Sequence, residues 1–280
     1  MLFNLLRVKQ YYKNLLVFLP LIFAGLLLNV NSIFLTILAF ISLCLISSTN
    51  YILNDIIDKE KDKIHPEKSN RPIASELISV NKASIIAFIL AILSLTIAIV
   101  ISTEFFIIIL ILFFLTQLYS LYFKNEIFLD LIFISTNFIL RAIAGAYILN
   151  VRISPWLILC TFFLSLFLVV GKRKSEIYLL KNKSSQHKPV LALYSKEIIN
   201  TLLIMSTISL LLSYSLYSFL SIYPHLIYTL PISLYVILRY FYLIETNSTI
   251  ARNPEYFYQD KRLCLGILFW MLIILFIMYF

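Results

Sequence analysis

Three aspartates fall within eight residues in the run Asn54-Asp55-Ile56-Ile57-Asp58-Lys59-Glu60-Lys61-Asp62, where a long apolar stretch ends. On a helix, spacings of three, four and seven put Asp55, Asp58 and Asp62 on one side. Carboxylates this close repel unless a cation lies between them, and their hard oxygens suit Mg²⁺, which in turn binds phosphate oxygens. Asp55, Asp58 and Asp62 are therefore the candidate metal ligands and, with Asn54 beside them, the candidate catalytic group. Asn50, Asn54, Asp58 and Asp62 also follow one another at intervals of four. The plainer alternative is a solvated helix end on which Asp and Lys alternate. His65-Pro66, Lys68 and Arg71-Pro72 come next, and proline restrains the residue before it to extended or turn geometry. Basic side chains held this way suit a phosphate, although His65 taken singly is as well explained as a loop histidine.

Other polar residues carry the same double meaning. Tyr119 and Lys124 are followed by Asp130, and Asn137 and Arg141 lie seven and eleven residues further on. At 100° per residue these three sit near one line of a helix, with Arg141 about 16 Å along the axis from Asp130. An arginine at that depth must face a cavity or a partner, either as a structural donor to helix-end carbonyls or as an anion ligand. Lys124 could equally be an interface anchor that snorkels to the headgroups. The triplet Lys172-Arg173-Lys174 is a topological anchor or a clamp for a lipid phosphate or diphosphate. The segment Arg7-Val8-Lys9-Gln10-Tyr11-Tyr12-Lys13-Asn14 is similarly ambiguous, and its Gln10 and Asn14 have no role in setting topology. Lys9, Lys13, Asn14, His65, Lys68, Arg71, Tyr119, Lys124, Asp130, Arg141, Lys172 and Arg173 make up the candidate substrate-binding set.

Several chemistries are excluded. Four glycines cannot supply a glycine-rich phosphate loop, the three histidines lack metal-ligand spacing, and the three cysteines sit inside apolar runs. The net charge of +9 is accounted for by one membrane face, so nucleic acid is not expected as a partner.

The elements that must position these residues are membrane helices. With 61% hydrophobic residues and a mean hydropathy of +0.94, the chain is read as all-α and polytopic, a single domain over residues 1–280. Apolar windows at 15–30, 33–53, 83–102, 105–123, 127–149, 155–171, 198–221, 225–243 and 263–280 predict nine crossings around a central cavity. The first could imitate a signal peptide, but no small-residue cleavage site follows it. Of the 23 Lys and Arg residues, all but Arg141 and Arg152 fall on one face, which the positive-inside rule makes cytoplasmic. Glu104 is the only acid expected on the other face. The N-terminus is then cytoplasmic and the C-terminus opposite, with cap loops at about 54–82 and 172–197. Residues 172–188 could be a tether or a surface helix.

The Asn54-Asp55-x-x-Asp58-x-x-x-Asp62 run, nine predicted crossings and the Lys124…Asp130 element together resemble the UbiA superfamily of intramembrane prenyltransferases. Within it, three stretches resemble the decaprenyl-phosphate phosphoribosyltransferase branch. They are Arg7-x-Lys9-Gln10-x-x-Lys13-Asn14, Asp62-x-x-His65-Pro66-x-Lys68-x-x-Arg71-Pro72-Ile73, and Phe138-x-x-Arg141-Ala142-x-Ala144-Gly145. Glu76 departs from the pattern, standing where glycine is expected. The resemblance implies Mg²⁺ held by Asp55, Asp58 and Asp62, a phosphoribosyl diphosphate donor, and a polyprenyl phosphate acceptor entering from the lipid. The product would be a lipid-linked phosphoribose for envelope glycan synthesis, made at the inner membrane of a bacterium. Two other readings stand beside it: prenyl transfer from a prenyl diphosphate to an aromatic or other lipophilic acceptor, and a transporter lined by Asp130, Asn137 and Arg141. Against the transporter stands the near absence of charge on the far face.

Overall fold

The computed structural model describes residues 2–64, 68–180 and 189–280, and contains helices and turns without strands among them. Among the described residues, eight helices are long and apolar enough to cross a membrane. They are α1 (Val30–Ile57), α2 (Val80–Ile101), α3 (Thr103–Leu121), α4 (Leu129–Leu149), α5 (Pro155–Leu180), α6 (Lys196–Leu220), α7 (Leu230–Glu245, preceded by a 3₁₀ turn at Pro224–Thr229) and α8 (Lys261–Tyr279). The chain is an integral, multi-pass membrane protein. It divides into two compact units, Met1–Lys124 with Leu140–Val151, and Asn125–Ile139 with Arg152–Phe280. The boundary falls inside α4.

The first expected crossing is not one continuous α-helix. Residues Val8–Phe18 form a run of 3₁₀ turns, and only Leu19–Phe23 is α-helical. Pro20, which lacks the N–H an α-helix would use, stands at the junction. At about 2.0 Å per residue for eleven 3₁₀ residues and about 1.5 Å for five α residues, the segment is about 30 Å long, the thickness of a hydrocarbon core. It therefore has the length of a crossing without being a regular helix.

In the first unit α1 packs chiefly on α2, where Ser42 and Ser94 donate to each other's backbone carbonyls at 3.0 and 2.8 Å. Small residues such as Ala39, Ser42, Ser94 and Ala98, all wholly buried, let helices approach closely inside a bilayer. A core of Val17, Leu43, Ile46, Phe105, Ile109, Leu112 and Ala144 binds α1, α3, the end of α4 and the N-terminal segment together. At Gly145 an added Cβ would lie 2.2 Å from the Val17 carbonyl oxygen, so glycine is needed where α4 meets that segment.

In the second unit α5 packs along α6, and Phe167, Val170, Leu203, Ile244 and Leu263 centre the core. Ser206, Thr207 and Ser213 point their hydroxyls back to carbonyls of their own helix, which makes them tolerable in apolar surroundings. Helix α5 does not stop at 171 as its hydropathy suggests. It continues to Leu180, so Lys172, Arg173 and Lys174 lie on a helix and not in a loop. The extension is stable because its charges are met: Arg173 pairs with Glu176 at i+3, and Lys174 with Glu245 at 2.6 Å.

Candidate active site

The loop after α1 is seated by apolar residues before any charge is considered. Leu5, Ile52, Ile73 and Ile78 are buried in one cluster with Ala83 and Ala87. Leu5 stands two residues before Arg7, Ile52 three before Asp55, and Ile73 two after Arg71. One hydrophobic contact therefore positions three charged side chains that are far apart in sequence. Turn hydrogen bonds from Ser75 N to the Arg71 carbonyl and from Ile78 N to the Pro72 carbonyl, both 2.9 Å, hold the loop.

Asp55 and Asp62 converge as their seven-residue spacing predicts. Arg71 Nη1 donates to Asp55 Oδ1 at 2.9 Å and to Asp62 Oδ2 at 2.5 Å. Arg7 Nη2 donates to the same Asp55 Oδ1, and its guanidinium lies over the Tyr51 ring, 5.0 Å from the centroid. Lys68 Nζ stands 4.0 Å from Asp62. Asp55 is 2% exposed, whereas the Arg7 and Arg71 side chains are 21% and 24% exposed. Burial, and then the neighbouring charge of Arg7, lowers the pKa of Arg71, while the two aspartates oppose the shift.

Asp58 goes elsewhere. Its Oδ1 accepts from Lys124 Nζ at 2.7 Å, and two turns further into α1 the Asn50 Oδ1 accepts from Gln117 Nε2 at 2.6 Å. The run thus presents two faces, shared between the end of α1 and the short helix Lys59–Lys63 that follows it. One face, Asp55 and Asp62, meets the arginines; the other, Asn50 and Asp58, meets Gln117 and Lys124. Asn54, half-buried, lies on the helix turn between them. Asn50 Nδ2 is buried without a hydrogen-bond partner among the described residues.

The remaining expectations separate into local contacts. Asn14 is buried and accepts from Arg141 Nε at 2.7 Å, and it donates to Cys44 Sγ at 3.3 Å. Asn137 donates back to the Phe133 carbonyl of its own helix at 3.0 Å. Asp130, fully buried, accepts from Arg173 Nε at 2.9 Å and from the Tyr194 hydroxyl at 2.6 Å. The single polar stripe expected on α4 is therefore three separate attachments. Lys9 is exposed, and Lys13, Tyr119 and Lys172 are half-buried, with Lys13 over the Tyr12 ring. His65 lies outside the described residues. Glu76, standing where glycine was expected, has φ 60°, and its carboxylate meets Lys63 at 3.0 Å and Lys59 at 3.2 Å.

Sequence reasoning left two residues out of the candidate set. Arg7 carried a signal, since it begins the basic N-terminal segment, but nothing local tied it to Asp55. Tyr194 carried none. Its hydroxyl also accepts from the Phe128 backbone N–H at 3.0 Å, where φ is 66°. Burial, and then the hydrogen bond to Asp130, holds the Tyr194 phenol well above the ordinary tyrosine range.

Comparison with known proteins shows the family and the fold. Residues 17–273 match the UbiA prenyltransferase family. The chain belongs to that family. Its UbiA fold is also seen in a UbiA homologue from Archaeoglobus fulgidus solved with GPP and Mg²⁺ (TM-score 0.75, 18% identity, 99% of this chain and 98% of that one). Among UbiA-type sequences, it is 29% identical over 222 residues to a decaprenyl-phosphate phosphoribosyltransferase of Mycolicibacterium smegmatis, covering 78% of this chain and 70% of the relative. A protein of the same description from Corynebacterium glutamicum is 31% identical over 218 residues, covering 76% and 66%.

Among the described residues no three acidic, histidine or cysteine side chains converge as a ready-made metal cage. Two do converge, with hard oxygens on either side of one cationic nitrogen. That fits Mg²⁺, which uses one or two carboxylates and completes its shell with substrate phosphates and water. Asp55 and Asp62 are the residues that would hold it.

Proposed function

We propose that this UbiA-family protein transfers the 5-phosphoribosyl group of phosphoribosyl diphosphate to a polyprenyl phosphate at the cytoplasmic face of a bacterial inner membrane. The observation that carries the reading is the convergence of Asp55 and Asp62 on one Arg71 nitrogen, with Arg7 on the same carboxylate. The sequence likeness to decaprenyl-phosphate phosphoribosyltransferases supports the choice of donor and acceptor.

The acceptor phosphate is already anionic at neutral pH, so no general base is required. One of its oxygens bonds to the anomeric carbon as the bond to the diphosphate oxygen breaks, and diphosphate departs with the electron pair. Bound Mg²⁺ supplies charge neutralisation for the leaving diphosphate. Arg71 and Lys68 add hydrogen bonds and positive charge where that charge develops, and Asp55 and Asp62 fix the position of the donor. Asp58, held by Lys124, keeps a third carboxylate at the junction between α1 and the short helix that carries Asp62.

Prenyl transfer from a prenyl diphosphate is the second reading. The same carboxylates would then serve the prenyl donor, and the GPP and Mg²⁺ bound to the structural homologue favour keeping it. Membranes containing the protein, given radiolabelled phosphoribosyl diphosphate, decaprenyl phosphate and Mg²⁺, separate the two. Label entering an organic-extractable lipid is the expected result. Label entering lipid only from a prenyl diphosphate would replace the proposal with the alternative.

A further inference from the structure

We infer that Glu76 is a positioning residue for Asp62: its carboxylate latches the short helix Lys59–Lys63 to the loop after Arg71, so that Asp62 keeps its place when a metal ion arrives. The inference rests on the proposed use of Asp62 as a Mg²⁺ ligand. The short helix is joined to that loop at two places. On the buried side, Arg71 Nη1 donates to Asp62 Oδ2 at 2.5 Å. On the open side, one oxygen of Glu76, Oε1, accepts from Lys63 Nζ at 3.0 Å and from Lys59 Nζ at 3.2 Å. Lys63 also meets Glu60 of its own helix at 3.2 Å.

The two joins have different fates during binding. A cation between Asp55 and Asp62 displaces Arg71 from both carboxylates, because like charges cannot share that space. Lys68 also reaches Asp62, at 4.0 Å, and that contact rests on the same carboxylate. The buried join is then lost at the moment Asp62 has to be held. Five residues make little more than one helical turn, too short to keep its winding in water without outside contacts. Lys59 and Lys63, four apart, lie on one side of that turn, and Asp62 is about 60° and 100° round from them. Metal entry beside Asp62 therefore leaves the join to Glu76 intact.

The loop is the firmer partner. Ile73 and Ile78 are buried in its base, and Glu76 N donates to the Ile73 carbonyl at 3.2 Å. Glu76 has φ 60°, where a side chain is disfavoured and glycine is not. Glycine would make the same turn without strain. What glutamate adds here is a carboxylate on two lysines of the turn that bears Asp62.

Positioning and plain electrostatics predict opposite results for the lysines, and Mn²⁺ affinity, measured on purified protein by equilibrium dialysis, tells them apart. Glu76→Gln removes a negative charge and weakens cation binding under either account. Lys59→Met with Lys63→Met removes two positive charges, which strengthens binding through the field alone but weakens it once the latch is lost. We expect Glu76→Gln to bind Mn²⁺ about two- to fivefold more weakly, the range of exposed ion pairs. The lysine pair should also bind more weakly, by a smaller factor, and the triple variant should be no weaker than Glu76→Gln. Amide hydrogen exchange over residues 59–63 should quicken in all three while the melting temperature holds. In transfer assays the Mg²⁺ concentration for half-maximal rate should rise, with the rate at saturating Mg²⁺ unchanged. Tighter Mn²⁺ binding by the lysine variant, or affinity unchanged in every variant, overturns the inference and leaves the proposed function standing. A wild-type protein that binds no Mn²⁺ removes the metal assignment, and the inference with it.

Discussion

The two units each bury an aspartate against an arginine, yet the two pairs differ in how they can be used. Around Asp55 the cations come from separate chain segments, the N-terminal stretch and the loop after α1, and their side chains remain partly exposed. Around Asp130 the partners Arg173 and Tyr194 leave the carboxylate with no exposure, and Arg173 is itself only 5% exposed and tied also to Glu176. A buried pair contributes through what its loss would cost, since removing one partner strands a charge. A half-open pair contributes through what can replace it. Charge at the Asp55 cluster is suited to ligand exchange, and charge at Asp130 to holding a helix start, a strained turn and the base of α5 in place.

The sharpest way to break this contrast is to unpair each aspartate. Arg173→Leu should destabilise the protein by about 3–5 kcal/mol, the usual cost of an orphaned buried charge. Solubilised protein should lose its monodisperse peak in size exclusion after mild heating; an unchanged melting profile would show that Asp130 is not locked in this way. Asp62→Asn should do the opposite, lowering transfer at least about a hundredfold, as loss of a group that organises transition-state charge does. Its melting temperature should stay within a few degrees of wild type. Transfer at the wild-type rate in Asp62→Asn would remove this carboxylate from the metal assignment.

Gly145→Ala tests the seat of the N-terminal segment. The new methyl would press on the Val17 carbonyl, and overpacking of this kind costs about 1–3 kcal/mol. The variant should show a lowered melting temperature. The smallest effect belongs to Glu76. Hydrogen bonds from Lys63 and then Lys59 hold its carboxyl below the ordinary glutamate range. A depressed carboxylate stabilises the fold above its unfolded pKa, and that contribution disappears as pH falls through the folded one. Glu76→Gly removes this acid-side dependence and relieves the left-handed backbone, so melting at pH 7 should change little and its slope below about pH 4 should flatten.

The membrane helices were legible because hydropathy over twenty residues is a strong signal, and the seven-residue spacing of Asp55 and Asp62 read correctly because α1 continues to Ile57 and helical turns resume at Lys59. Two things were hidden. A hydropathy window cannot see that Arg173 and Lys174 will be neutralised by Asp130, Glu176 and Glu245, so the end of α5 was set too early. Spacing also cannot reveal that Asp58 turns to Lys124, because an arc of 100° per residue admits two neighbouring faces. Arg7 and Tyr194 meet their aspartates across 48 and 64 residues, a range at which one sequence gives no pattern to follow.

The extended winding of Val8–Phe18 acts as a ruler. Rewound as α-helix, the same eleven residues would be shorter by about 5–6 Å, enough to pull Arg7 out of reach of Asp55 while Val17 stayed put. Three or four additional residues would restore the span in the α form. The position of this arginine is thus written into the length of the segment as much as into its composition.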